Sequence, residues 1–532
     1  LVWLILRRLR VPGSWLAAAV FALHPVHVES AAWITERKNV LSAAFYLSAT
    51  LAFFRFRPPD GQIDAKTGSW SAYMLAALLF VCALLGKTVT ASWPAAMLLV
   101  LWWKKGRVER RDALTLAPLL ALGAAMGLLT AWMERAHVGA EGEEWDLSLV
   151  ERGLVAGRAL WFYAGKLVWP AGLTFIYPRW RIDSGLWQQY LFPAAACAAV
   201  VALWWWRKRM GSGPLAAVLF FAGTLAPALG FFNVYPFRFS FVADHFQYLA
   251  SLGLIALGAA LGAALATWGV TLGRVTSGIV LATLGVLTWR QGRHYETAEA
   301  LWRDTLAKNA DCWMARINLA EILSGRGEHR DAVGHLREAL RLKPDNAKAY
   351  NNLGVSLDRL GNSAEAMAHY RKALDIDPKY VSAWINLGNA YSKGGELEQA
   401  VAAYEEAVRH TPNLPAAQFS LGQALAKAGR TQEAAERFRT ALRLDPRFVA
   451  GWLGLGTALA EVGELEAAVE ALRIACQLNP QLVVARYNLG LLLARVGRTE
   501  EAIAAFQEVL RIEPDHAPAQ AQLQALLSPP SR

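Results

Sequence analysis

The sequence predicts an all-α protein in two unlike parts, a polytopic transmembrane helical domain followed by an α-solenoid. Three observations predict this. Of 532 residues, 55% are apolar and 18% charged, a balance that argues against a wholly soluble chain and, at this length, against a single domain. Charge is unevenly placed: Leu1–Arg290 holds 26 Lys/Arg against 14 Asp/Glu, and Gln291–Arg532 holds 28 against 29. Finally, proline recurs every 34 residues in the second part, at Pro344, Pro378, Pro412, Pro446, Pro480 and Pro514.

The first part, 1–290, carries the whole basic excess. Nucleic-acid binding needs a basic face on a soluble domain, so this distribution excludes it and suits cationic loops between membrane spans. Leu1 is not Met, the chain opens inside an apolar run, Leu1–Leu6, and no signal peptide is visible. The expectation is a fragment whose beginning lies upstream. Apolar segments follow at Val11–Leu23, Val40–Phe54, Trp70–Leu85, Ser92–Trp103, Ala113–Met133, Gln188–Trp206, Leu215–Phe232, Tyr248–Thr267 and Val275–Trp289, which predicts nine crossings. Several are shorter than the roughly 20 residues of a lone spanning helix, which enclosure by neighbouring helices permits.

Orientation follows from the loops. Arg7, Arg8 and Arg10, then Arg55, Arg57 and Lys66, then Lys104, Lys105, Arg107, Arg110 and Arg111, then Arg207–Arg209, and Arg274 fall in alternate loops, predicted cytoplasmic. His24–Lys38, Gly86–Ala91, Glu134–Trp187 and Asn233–Gln247 then face outward, as does everything after Trp289. Of the four Cys, Cys82 and Cys197 sit in apolar runs, while Cys312 and Cys476 are nearly five repeats apart. With no CxxC, neither a disulfide framework nor a zinc site is expected.

The second part is built on one register. Twenty-four residues before each proline stand Ala320, Gly354, Gly388, Gly422, Gly456 and Gly490; twelve before stand Ala332, Ala366, Ala400, Ala434, Ala468 and Ala502. Gly327, Gly361, Gly395, Gly429, Gly463 and Gly497 mark the turns. This resembles the tetratricopeptide repeat, in which small residues bring two helices together and proline opens the next unit. Units are placed at 313–346, 347–380, 381–414, 415–448, 449–482 and 483–516, six tetratricopeptide repeats over 313–516. Segment 291–312 is a degenerate half repeat, with Ala298 and Trp302 at second-helix positions, and 517–532 is a capping helix and tail. The stack predicts a right-handed superhelix with a concave groove.

The sixth position of each unit reads Asn318, Asn352, Asn386, Ser420, Gly454 and Asn488. An amide offers two donors and an acceptor. The row Asn318, Asn352, Asn386 and Asn488 either brackets an extended acceptor peptide, similar to the asparagine ladder of nucleocytoplasmic O-linked N-acetylglucosamine transferases, or is consensus residue alone.

The densest chemistry in the first part is His24-Pro-Val-His-Val-Glu29, followed by Glu36-Arg-Lys-Asn39. Polar groups beside apolar spans usually face a cavity. His24, His27 and Glu29 are either a divalent-cation site, on a non-helical turn after Pro25, or a hydrogen-bonded interfacial turn. Arg37 and Lys38 suit an anionic headgroup, and Lys87 a phosphate; ordinary snorkelling is the other reading of all three. Asp244 and Glu29 suit base or metal-ligand work, with an Arg238 ion pair the structural reading of Asp244. Glu134–Glu151 reads as a solvated acidic loop and Arg158–Trp169 as an amphipathic segment on the outer surface. No GxSxG, Walker-type loop or HExxH occurs.

Four stretches, ALHPVHVESAAWITERKNVLSAAFYLSATLAFFRF, GKTVTASWPAAMLL, YAGKLVWPAGLTFIYP and VADHFQYLASLGL, followed by the repeats, resemble the transmembrane and tetratricopeptide-repeat O-mannosyltransferase family and its bacterial relatives. The resemblance implies a GT-C glycosyltransferase fold and transfer of a sugar, typically mannose, from a polyprenyl-phosphate carrier to Ser/Thr of secreted or membrane proteins. It places the general base in an acidic outer loop upstream of Leu1, so the chain's catalytic residue is unknown. It assigns Arg37, Lys38 and Lys87 to the donor phosphate, His24, His27 and Glu29 to the site floor or a cation, and Asp244, His245 and Tyr248 to the opposite wall. The family's more common ADRYTY reads ADHFQY here: His245 replaces Arg and would meet phosphate only when protonated, and Gln247 replaces Thr.

The expected protein is thus an integral membrane enzyme, of a bacterial inner membrane on its Ala-, Leu-, Arg- and Gly-rich composition, with periplasmic or lumenal repeats that recruit acceptors. Its donor substrate is a lipid-linked sugar, its partners a membrane lipid carrier and protein acceptors, and its one candidate cofactor a divalent cation. The alternative is a non-catalytic, membrane-anchored repeat scaffold for envelope protein assembly. A transporter finds no internal symmetry to support it.

Overall fold

The structure, a computed structural model, describes every residue except 60–67, 141, 143–144, 268 and 529–532. Lys66, Glu141, Glu143, Glu144 and the end of the 517–532 tail lie outside the described residues. The chain forms two compact units, Leu1–Ala315 and Arg316–Arg532.

The first unit is helical: α1 (Val2–Arg8), α2 (Ser14–Leu23), α3 (Val28–Ala32), α4 (Arg37–Phe56), α5 (Trp70–Gly86), α6 (Trp93–Lys105), α7 (Arg110–Ala136), α8 (Leu149–Val168), α9 (Leu191–Met210), α10 (Gly213–Leu225), α11 (Ser251–Ala266), α12 (Val270–Arg293) and α13 (Ala298–Lys308). Each predicted span falls on one of these. Four segments, Ile34–Phe56, Arg110–Ala136, Trp187–Met210 and Val270–Arg293, are long and apolar enough to cross a membrane by length and composition. The others that were expected to cross are shorter, so nine full-length crossings are not what the described helices provide. Lys104, Lys105, Arg110 and Arg111 sit in helix ends, and Arg274 lies inside α12.

A core joins α4, α5 and α6. Trp93 is fully buried, its indole N–H donating to Thr50 Oγ1 at 2.9 Å, its ring stacked on Phe80 and edge-on to Phe53. Near the other end of α6, Asp112 is fully buried between Lys105 (3.0 Å) and Arg57 (3.7 Å). In contrast, α9 has no buried residue and α12 buries only Leu284.

Glu134–Glu151 is the expected solvated loop only in part: residues 135–139, Gly142 and Asp146 are exposed, but the segment is anchored at both ends. Glu134 ends α7 and accepts from the Tyr235 amide, Trp145 is buried and donates to Val234 O, and Ser148 and Glu151 form the capping box that starts α8. Residues 158–168 are the second half of that helix, with Ala159 and Tyr163 buried and Trp161 and Val168 exposed; a Cβ on Gly157 would lie 2.5 Å from Pro193 N, so glycine lets α8 and α9 touch. The division of the chain also falls later than 290. The degenerate half repeat packs within the first unit: Trp302 sits against Phe175, and Asn309 Nδ2 donates to Ile176 O.

The second unit stacks helix pairs. With α14 (Trp313–Gly325) beginning the first repeat, α15 (His329–Leu342), α16 (Ala347–Arg359), α17 (Ser363–Ile376), α18 (Val381–Gly394), α19 (Leu397–His410), α20 (Pro415–Lys427), α21 (Thr431–Leu444), α22 (Val449–Val462), α23 (Leu465–Leu478), α24 (Val483–Arg495) and α25 (Thr499–Ile512) follow, and α26 (Ala517–Leu527) closes it. The register has a steric cause. A Cβ on Gly354, Gly388, Gly422 or Gly490 would lie 2.6–2.7 Å from the ring of Tyr370, Tyr404, Phe438 or Phe506, sixteen residues on in the partner helix. The six register alanines are fully buried, and the six turn glycines take φ between 77° and 94°, where a side chain is strained. The last four pairs and the closing helix are also tied to the preceding turn: Trp384, Gln418, Trp452, Arg486 and Gln520 donate to the carbonyl of the proline six residues earlier, at 2.8–3.1 Å.

Candidate functional site

Pro25 breaks the helical path after Leu23. His24 is extended, Pro25–His27 forms a 3₁₀ turn, α3 lasts five residues, and Ile34–Glu36 is a second 3₁₀ turn leading into α4. This folded stretch meets two distant ones, Lys87 at the end of α5 and the 3₁₀ turn Asp244–Gln247 before α11. The residues singled out in the sequence therefore come together, but in pairings the sequence does not announce.

Glu29, 2% exposed, takes both N–H groups of His245: the ring Nδ1 at 2.7 Å and the backbone N at 3.2 Å. Glu36, which the sequence reading left without a role, is the hub of the cationic group. It accepts Lys87 Nζ at 3.0 Å and Asn39 Nδ2 at 2.8 Å and pairs with Lys38 at 3.2 Å. Asn39 also donates to Ser30 Oγ. Arg37 is exposed at the first turn of α4. Burial lowers the Lys87 pKa although Glu36 opposes it. A phosphate at Arg37, Lys38 and Lys87 would thus share two of its three cations with a fixed carboxylate.

The histidines are committed to backbone. His24 Nε2 donates to Leu167 O at 3.0 Å while its Nδ1 accepts from Val26 N. His27 Nδ1 donates to Phe21 O at 2.7 Å and its Nε2 meets Ser251 Oγ at 3.0 Å. Burial holds both rings below the ordinary imidazole value, His27 at about 3. With Glu29 turned to His245, these three do not form a ligand set, and among the described residues no group of three or more His, Cys, Asp or Glu is placed to hold a metal ion. The divalent-cation expectation for His24, His27 and Glu29 is corrected accordingly: the geometry is that of the hydrogen-bonded turn.

Asp244 is buried and accepts the Tyr177 hydroxyl at 2.9 Å. Burial and the nearby Glu29 charge push its carboxyl well above the usual range, and burial with the Asp244 charge pushes Tyr177 up as well. Tyr248 packs edge-on to His27 and, with His245, Asn39, Ser42 and Thr224, lines a small cavity beside the cluster.

In the second unit Asn318, Asn352, Asn386 and Asn488 are half-buried on first helices. They do not form a uniform ladder. Asn386 Nδ2 donates to Asn351 Oδ1 at 2.9 Å, and Asn351 Nδ2 donates to Asn352 Oδ1 at 3.3 Å. Asn351, at the fifth position of its unit, was missed because only that unit carries Asn there. Asn386 and Ser420 line a polar groove of about 330 Å³ with Asp358, Lys393 and Lys427.

The fold and register define an all-α protein whose second unit is a tetratricopeptide-repeat solenoid. A tetratricopeptide-repeat family model matches residues 322–381, and the model of the cilia and flagella-associated protein 70 C-terminal domain matches residues 375–525. Mouse (Mus musculus) protein O-mannosyl-transferase TMTC3 is 33% identical over 75 residues, 14% of this chain and 8% of the mouse protein, and the human (Homo sapiens) protein matches to the same extent. Among solved structures, YrrB, described as a tetratricopeptide-repeat protein with an unusual peptide-binding site, is 25% identical over 35% of this chain and 96% of its own, with a TM-score of 0.32. Pseudomonas aeruginosa pilF is 23% identical over 40% and 96%, with a TM-score of 0.37. Tetratricopeptide repeats as a class bind peptides and proteins.

Proposed function

We propose that the chain belongs to an integral membrane glycosyltransferase, which moves a sugar, typically mannose, from a polyprenyl-phosphate carrier to Ser/Thr of secreted or membrane proteins. In this reading the first unit is a GT-C-like membrane domain, the repeats lie on the periplasmic or lumenal side, and they recruit the acceptor. The observation that carries it is convergence: segments 24–39, 87 and 244–248, far apart in sequence, meet in one buried polar cluster beside helices long and apolar enough to span a membrane. The partial similarity to O-mannosyl-transferase TMTC3 supports this reading of the chemistry. Arg37, Lys38 and Lys87 remain the proposed carrier-phosphate contacts, with Glu36 holding the two lysines in place. The test is transfer from polyprenyl-phosphate mannose to a Ser/Thr peptide by the full-length protein in membranes. Arg37→Ala combined with Lys38→Ala, both exposed, should lower donor use with expression unchanged. Undiminished transfer would remove the phosphate assignment, and no transfer by the wild type would favour the second reading.

That second reading is a membrane-anchored scaffold. The groove around Asn386 and Ser420 favours it, because binding there needs no chemistry in the first unit.

A further inference from the structure

The polar groove in the second unit crosses three successive repeats and is lined by α16, α18 and α20. Its charged residues follow the 34-residue step: Arg359, Lys393 and Lys427 occupy the same position of three consecutive units, and that position becomes Glu461 in the next. Asp358 is the one acidic residue of the lining and is hydrogen-bonded to Lys393 Nζ at 2.5 Å. Lys427 Nζ reaches back to Ser392 Oγ at 3.2 Å. Three cations against one anion leave the groove positive.

The amides sharpen this. Tyr404, from a second helix, donates its hydroxyl to Asn389 Oδ1 at 2.6 Å, which commits that carbonyl and leaves the Asn389 NH₂ as a donor at the groove. Asn386 is turned the other way. Its NH₂ is spent on Asn351, so its carbonyl is the atom left to accept. The groove therefore offers an ammonium pair and an amide donor beside one amide acceptor, matching an anionic side chain followed by a backbone N–H.

We propose that repeats two to four hold an acidic peptide segment, with an Asp or Glu side-chain carboxylate seated between Lys393 and Lys427 and donated to by Asn389, while Asn386 accepts a backbone N–H of the same segment. This deepens the acceptor-recruiting role proposed above and rests on it: acceptor Ser/Thr would lie near acidic residues.

The test is fluorescence anisotropy with the full chain in detergent. Three probes are used: a labelled Ser/Gly peptide bearing Glu with an amidated C-terminus, the same peptide with Gln for Glu, and the Gln peptide with a free C-terminal carboxylate. The Glu peptide should bind at least about fivefold more tightly than either Gln peptide, and the advantage should shrink as salt rises. Lys427→Gln and Lys393→Gln should each weaken the Glu peptide and leave the Gln peptides unchanged, with the thermal midpoint as a check on folding. Equal binding of Glu and amidated Gln peptides, binding of the free-carboxylate peptide alone, or no binding of any probe would each overturn the assignment. Transfer measured in parallel separates the two ideas. Sugar transfer that ignores the Glu/Gln difference sinks this inference and spares the enzyme, whereas selective binding without any transfer does the reverse.

Discussion

Asp112 in the first unit is fully buried between Lys105 and Arg57, whereas Arg337 and Glu365 in the repeats meet with side chains 60% and 44% exposed. The contrast extends beyond these pairs. In the first unit several buried polar contacts join distant stretches of chain, Glu29 with His245, Glu36 with Lys87, Asp244 with Tyr177. In the repeats contacts recur at a fixed step, and ion pairs such as Arg430–Glu433 and Arg498–Glu501 lie on the surface. A buried charge that loses its partner has no water to replace it; an exposed one does. The first unit thus concentrates its stability in a few irreplaceable contacts, and the second spreads it over many equivalent ones.

The strongest way to break this comparison is Asp112→Ala. Stranding Lys105 and Arg57 should destabilise the first unit by about 3–5 kcal/mol, read as loss of chemical-denaturation midpoint in detergent. A change below about 1 kcal/mol would show the site to be open to water and the contrast false.

Next is acidity. His27 sits near pKa 3 when folded and at 6.5 when unfolded. Its neutral form contributes fully above pH 6.5, and that contribution is lost as pH falls toward 3, because the unfolded chain takes a proton the buried ring refuses. Between pH 6.5 and 5 this amounts to about 2 kcal/mol, and His27→Gln should flatten that slope. A variant whose melting temperature follows pH as steeply as the wild type would assign the sensitivity elsewhere.

Within the repeats the largest single effect should come from packing and not from charge. Gly388→Ala forces a methyl against the Tyr404 ring, costing about 1–3 kcal/mol despite alanine's better helix propensity. Adding Tyr404→Leu should recover part of the loss; no recovery would locate the strain outside this contact. Smallest of all, Arg337→Ala should shift stability by less than about 1 kcal/mol, and a larger loss would mean that the inter-repeat ion pair is coupled to the stack.

The repeats were legible because their determinants are local and repeated. Gly388 and Tyr404 are sixteen residues apart, and the same relation returns one unit later in Gly422 and Phe438. The apolar helices were legible for a like reason, since a run of apolar residues marks itself. Partners were not. Nothing local in His24–Asn39 says that Glu29 will meet a histidine 216 residues later, or that Glu36 will gather Lys38 and Lys87. In Glu134–Glu151 the acidity and exposure are visible in sequence, but the anchors are not: the Tyr235 amide that binds Glu134 and the Val234 carbonyl that binds Trp145 are 101 and 89 residues away. Asp112, preceded by Arg110 and Arg111, carries no local sign of burial until α7 is placed against the end of α6.

The proline-carbonyl bonds have a mechanical consequence. Because Trp384, Gln418, Trp452 and Arg486 each fasten a helix pair, and Gln520 the closing helix, to the proline of the unit before it, each of these units is pinned to its predecessor and leans only on its neighbours. Pulled from its end in an optical trap, the solenoid would lengthen in equal increments, each releasing about 110–120 Å of contour. A bound polypeptide lying across three units would merge three of those increments into one.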